Sequence, residues 1–105
     1  MGKIAFVVIK PRKDRTKELI DALLISVPTM RKLGLVTERE HIIAQAKDGS
    51  IIHIFEWTSE ESPDQAAAHP IVQEMWMKVS KISDFQKPLL LAELQEAISM
   101  FDTVF

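Results

Sequence analysis

Apolar positions along the chain follow two periods. In residues 3–10, Ile4, Phe6 and Val8 alternate with Ala5, Val7 and Ile9, so both sets of a period-two pattern are apolar. A strand of that kind is covered on both faces, and Pro11 ends it. Over residues 14–33, Leu19, Ile20, Leu23, Leu24, Val27, Met30 and Leu33 recur at helical spacing. Gly34 is placed to end this helix in the left-handed conformation, and Pro28 predicts a kink or a detached last turn. Residues 40–47 and 50–57 read as two strands joined at Asp48-Gly49, a dipeptide suited to a two-residue type I′ turn. Ser62-Pro63 predicts a second helical segment, with Ser62 as a capping hydroxyl, running to about Ser83. Its stripe is Val72, Met75, Trp76, Val79 and Ile82, and it bends at His69-Pro70. Residues 91–97 add one further turn, and residues 99–105 read as a final strand.

The order strand, helix, two-stranded hairpin, helix, strand predicts one α+β domain over residues 1–105. Its topology is ferredoxin-like βαββαβ, an antiparallel sheet with helices on one face. A two-residue turn sets Lys47 opposite Ser50, His41 opposite Glu56 and Ala44 opposite His53. Ile42, Ala44, Ala46, Ile51, His53, Phe55 and Trp57 then share one face, and His41, Ile43, Gln45, Ile52, Ile54 and Glu56 share the other. A one-residue change in the turn would change which residues of the two strands share a face. The helix-free side of such a sheet stays apolar, and a second copy of the chain is the simplest cover, which predicts a homodimer through sheet faces.

Composition narrows the chemistry. The 105 residues carry a formal net charge of −2, which argues against a nucleic-acid binder. Lys10, Arg12, Lys13, Arg15 and Lys17 cluster early, whereas Glu56, Glu60, Glu61 and Asp64 gather later. These read as two solvated faces, or as complementary charge across a dimer. Cys is absent, which removes thiolate nucleophiles, zinc-thiolate sites and disulfides. No segment approaches the roughly 20 apolar residues that cross a bilayer. Met1-Gly2 opens like a myristoylation signal, but Phe6 stands where Ser or Thr is required. A cytoplasmic protein with no membrane contact is expected. Gly2, Gly34 and Gly49 form no phosphate-binding loop, and no metal-ligand set shares one face, so neither metal nor cofactor is expected.

What remains is histidine chemistry beside aromatic residues. His53 is expected in an apolar wall with Ala44, Phe55 and Trp57, where an imidazole serves as acid or base or is satisfied by a backbone carbonyl. His69, at the helix bend, is expected near the same pocket as a second polar group, or as a cap for the following helix. Phe6, Met75 and Trp76 complete the expected lining for a small hydrophobic ligand, or else plug the space as core. His41 and Glu56 are expected to pair on the opposite face.

The run Ile54-Phe55-Glu56-Trp57-Thr58-Ser59, followed by Ala68-His69-Pro70-Ile71-Val72-Gln73-Glu74-Met75-Trp76, resembles the antibiotic-biosynthesis-monooxygenase-like group of the dimeric α/β-barrel superfamily. Residues 91–97 and Phe101 are similar to that group's last loop and strand, so the resemblance spans nearly the whole chain. It implies a homodimer with stacked sheets and a pocket between sheet and helices in each subunit. It also implies a cofactor-independent monooxygenase-like enzyme acting on a small aromatic or lipophilic substrate. In the haem-degrading branch, which is similar at Trp57-Thr58-Ser59, the catalytic Trp, His and Asn positions fall at Ala66, at Trp76 and at or near Ile9. The chain contains neither Asn nor Tyr, so that triad is absent. Hydrogen bonds from Asn or Tyr to a phenolate are equally unavailable. The alternative reading is a non-catalytic dimeric small-molecule-binding or stress-associated protein. An RNA-recognition module shares the strand order but requires exposed aromatics on the first and third strands, and the first strand offers only Phe6.

Overall fold

In the computed structural model, which describes residues 2–105, the chain forms a five-stranded antiparallel sheet and three α-helices. The elements are β1 (Lys3–Pro11), α1 (Thr16–Lys32), β2 (Ile42–Gln45), β3 (Ile51–Trp57), α2 (Ser62–Ala68), α3 (Pro70–Ile82), β4 (Ser83–Gln86) and β5 (Asp102–Thr103). Two short 3₁₀ turns, Pro88–Leu90 and Ala92–Gln95, lie between β4 and β5. The strands lie side by side in the order β4-β1-β3-β2-β5.

Period-two alternation in β1 sorts its side chains. Ala5, Val7 and Ile9 face α1 and α3, whereas Val8 faces the other side. Register places Ala5 opposite Phe55, Val7 opposite His53 and Ile9 opposite Ile51, and these β3 residues complete the helix-facing wall. Leu19 and Leu23 of α1 and Val79 and Ile82 of α3 close one half of that core. Val27 and Met30 of α1 pack with Phe55, Ala66 and Val72 in the other half.

Helix α1 runs through Pro28 as one 17-residue element rather than splitting there. Thr29 Oγ1 donates to the Ile25 carbonyl at 2.9 Å and Ser26 Oγ to the Leu23 carbonyl at 2.9 Å, so hydroxyls serve carbonyls on either side of the missing N–H. Gly34 then takes φ +76 and its N–H donates to the Arg31 carbonyl, as expected of a helix terminator. The bend at His69-Pro70 also forms, with His69 extended between α2 and α3. Ser62 does not cap α2. It is the first helical residue, and its hydroxyl meets Thr58 Oγ1 at 2.7 Å and Ser59 Oγ at 3.0 Å, tying the end of β3 to the helix start.

Two expectations change at the sheet. The strand that follows α3 is Ser83–Gln86, paired with β1, and its start coincides with the end of the helical stripe. Of residues 99–105, only Asp102–Thr103 form a strand, and they pair with β2 at the far edge. The hairpin differs too. Ala46 N–H donates to the Ser50 carbonyl and Gly49 N–H to the Ala46 carbonyl, which makes Lys47-Asp48-Gly49 a three-residue loop with Gly49 at φ +91. Such a loop is favoured by a left-handed residue at its end, a conformation glycine adopts without a Cβ penalty. Ile43 is therefore opposite His53, and Ala44 is opposite Ile52.

The face without α-helices is partly covered by the chain itself. Leu91, 1% exposed, packs with Val8, Ala44, Ala46 and Ile52, and Leu94 and Phe101 join the edge of this cluster. Ile4 is 58% exposed on the same side, and Phe6 and Ile42 are exposed beside it. Truncating a fully buried leucine removes its transfer energy and leaves a cavity. Leu91→Ala is expected to lower unfolding stability by about 2–4 kcal/mol in urea denaturation. A loss below about 1 kcal/mol would contradict this packing.

Candidate functional site

A cavity of about 450 Å³ opens between α1, α3 and the helix-facing side of the sheet. Its floor is Val7 and Ile9 of β1 with His53, Phe55 and Trp57 of β3. Ala22, Leu23 and Met30 of α1 face Met75, Trp76 and Val79 of α3 across it. Exposed Ile25, Lys78 and Phe85 mark the mouth. The volume lies in the range of roughly 300–1,000 Å³ common to small-molecule sites. Helical spacing places the lining side chains: on α1, residues 22, 23, 26 and 30 recur at intervals of three to four, so one face serves both core and cavity.

His53 is the polar group on the cavity floor and is 2% exposed. Its Nε2 lies 2.8 Å from Nδ1 of His41, which is 7% exposed. With residue 43 paired to 53, His41 and His53 are diagonal neighbours on one face of the hairpin. The His41 ring is bracketed by His53 at a centroid distance of 5.1 Å and Phe105 at 4.9 Å. On the cavity side, Phe55 stands 5.1 Å from His53 and 5.0 Å from Trp57.

Loop tethers hold His41 in place. Arg31, in the last turn of α1, donates from Nε to the Thr37 carbonyl at 2.8 Å and from its terminal nitrogen to the Arg39 carbonyl at 2.6 Å. Val36 bridges Trp57, and Thr37 N–H donates to the Glu56 carbonyl at 2.9 Å. The segment is thereby laid along β3 just before His41.

Burial sets the charge state of the pair. Desolvation first, then the neighbouring His41, pushes the His53 pKa down to about 3. Desolvation and the Arg31 cation also lower His41, with Glu40 opposing them. Both rings are neutral at pH 7, so one donates and the other accepts across the 2.8 Å contact.

The other expected site residues divide. Phe55, Trp57, Met75 and Trp76 line the cavity. Ala44 and Phe6 do not: Ala44 packs under Leu91 on the opposite face, and Phe6, opposite Ile54, is exposed there. Strand alternation combined with the longer turn is the cause for Ala44; for Phe6, β1 alternation alone suffices. His69 also lies outside the lining, where its Nδ1 accepts from Ile71 N–H at 3.2 Å as a cap for α3. Glu56 turns to Thr37 Oγ1 at 2.9 Å and Arg39 Nε at 3.2 Å rather than to His41, and the Thr37 hydroxyl holds its carboxyl below the usual carboxylate range. His41 is the residue sequence reasoning misplaced. The signal was the twelve-residue spacing of His41 and His53 around a turn that, with three residues, brings both to one face.

Among the described residues, no group of three or more His, Asp or Glu is placed to hold a metal ion, and no helix is long and apolar enough to cross a membrane. No protein-family model, curated protein or solved structure matches the chain.

In the unfolded chain His53 titrates near 6.5, and in the folded one near 3. Between those pH values the unfolded state holds a proton that the folded state lacks. The stability contribution is therefore complete above about pH 6.5 and is lost as pH falls toward 3. Unfolding free energy is expected to drop by up to about 1.4 kcal/mol per pH unit below about pH 6 from this residue. Denaturation of His53→Leu across the same range checks it. The variant is expected to show the shallower slope, and identical slopes would contradict a buried neutral His53.

Proposed function

We propose that the protein binds a small, mainly apolar molecule carrying one hydrogen-bonding group, with its body between α1 and α3 and that group at His53. The observation that carries this reading is an open apolar cavity of about 450 Å³ whose floor presents one buried imidazole. Trp57 and Trp76 stand in its wall rather than filling it, which supports an occupied pocket over a plugged core. Proton exchange between ligand and His53 is the chemistry such a floor offers, in keeping with a monooxygenase-like enzyme that works without a cofactor.

The order β4-β1-β3-β2, with helices after β1 and β3, supports a ferredoxin-like domain, here extended by β5. This arrangement and the runs at residues 54–59 and 68–76 are the grounds for relating the chain to the antibiotic-biosynthesis-monooxygenase-like group. Exposed Ile4, Phe6 and Ile42 on the outer sheet face support a homodimer, with Leu91 and its neighbours forming part of the covering that a twin would otherwise supply. Sedimentation at micromolar concentration checks the second copy: a dimer is expected, and a monodisperse monomer would remove it. With no Cys, nothing in the chain requires an oxidising compartment.

Binding of 2-naphthol, followed through quenching of Trp57 and Trp76, tests the cavity. Ala22→Phe fills the space between the helices and is expected to weaken binding at least tenfold with unchanged far-ultraviolet circular dichroism. His53→Leu removes one hydrogen bond, worth about 0.5–1.5 kcal/mol. It should weaken 2-naphthol roughly 3–10-fold while leaving naphthalene within about twofold. Equal binding by Ala22→Phe and the parent protein would overturn the reading.

A further inference from the structure

We propose that His41 and His53 form a two-ring proton relay, through which a ligand group at His53 Nδ1 exchanges its proton with the protein exterior by way of His41 Nε2 without either ring becoming cationic. The proposal deepens the cavity reading above and rests on it for the presence of a ligand. Its own basis is the 2.8 Å contact between His53 Nε2 and His41 Nδ1.

A neutral imidazole carries one N–H, so this contact allows two arrangements. In the first, His53 Nε2–H donates to His41 Nδ1. His41 then carries its proton on Nε2, and His53 Nδ1 is left as an acceptor. In the second, His41 Nδ1–H donates to His53 Nε2. His53 then carries its proton on Nδ1, a donor, and His41 Nε2 is the acceptor. The rings share one tautomer in each arrangement, and neither can switch alone while the bond persists.

The two rings border different surroundings. His53 lines the cavity, and His41 is the more exposed ring of the pair, at the hairpin end beside the C-terminal Phe105. No further side-chain hydrogen bond of either ring is found among the described residues, so both outer nitrogens are available for exchange. Starting from the first arrangement, a ligand hydroxyl passes its proton to His53 Nδ1. The His53 Nε2 proton passes to His41 Nδ1, and the His41 Nε2 proton leaves to water. The ligand becomes an oxyanion, one proton reaches solvent, and the pair ends in the second arrangement with a neutral N–H directed at the new oxyanion. Reversal returns the proton.

Burial gives the relay its advantage. A single histidine acting as base would finish as an imidazolium in an apolar wall, and desolvation together with the adjoining His41 disfavours that form. Passing the proton onward leaves both rings neutral throughout.

Nitrogen-15 NMR of the full chain at pH 7 reads the tautomer of each ring directly. Without ligand, His41 and His53 are expected to show the same ratio of Nδ1–H to Nε2–H. Adding 2-naphthol, whose hydroxyl donates, should move both rings toward Nε2–H. Adding 1-tetralone, whose carbonyl accepts, should move both toward Nδ1–H. In His41→Phe, the His53 ratio is expected to differ from that of the parent in the absence of probe. Unequal ratios in the two rings, a switch in His53 alone, or a cationic ring at pH 7 would overturn the relay. If neither probe shifts Phe55, Trp57 and Trp76, the cavity reading fails, and the ligand-free ratios still decide whether the rings are coupled.

Discussion

Successive side chains of a β-strand point to opposite faces, so the length of the Lys47-Asp48-Gly49 loop decides which way every hairpin residue faces. With three residues in the loop, Ile43 lies opposite His53, and His41 reaches the same side one step further along. That side is the one closed by α1 and α3, where Phe55 and Trp57 also stand. Ala44, Ala46, Ile52 and Ile54 take the other side and meet Leu91 and Leu94. A two-residue loop would send His41 and His53 to opposite faces. His53 would then stand on the cavity floor without its partner imidazole.

The pair makes sense as physical chemistry only because each ring supplies what the other lacks. An imidazole buried alone in an apolar wall would leave a donor or acceptor unmatched, at a cost of about 1–3 kcal/mol. Two neutral rings at 2.8 Å satisfy one another on the inner nitrogens and leave the outer ones free for chemistry. Arg31 contributes twice. It anchors the loop that precedes His41 through two carbonyls, and its charge helps keep His41 uncharged.

Much of this layout was legible in the chain. The apolar alternation of β1, the stripe of α1, the stop at Gly34 and the bend at His69-Pro70 each follow from local steric rules that tertiary contacts do not override. The aromatic half of the cavity was legible for the same reason, because Phe55 and Trp57 keep their shared face in any register, and Met75 and Trp76 sit on one helix. Ala44 and His41 were not, since Asp48-Gly49 fits a two-residue turn and a three-residue loop ending in glycine equally well. Residues 83–86 escaped as a strand because Ser83, Asp84 and Gln86 give no apolar alternation; their pairing with β1 comes from position at the sheet edge. Self-coverage of the outer face was hidden in residues 88–95, whose packing through Leu91 depends on a chain path that no local period encodes.

The central claim is that His41 Nδ1 and His53 Nε2 share one proton in the folded protein. A nitrogen–nitrogen scalar coupling measured across that hydrogen bond in uniformly nitrogen-15-labelled protein tests it most directly. A resolved coupling between these two nitrogens at pH 7, lost in His41→Phe, is the expected result. Sharp ring resonances for both histidines with no coupling between them would contradict the account.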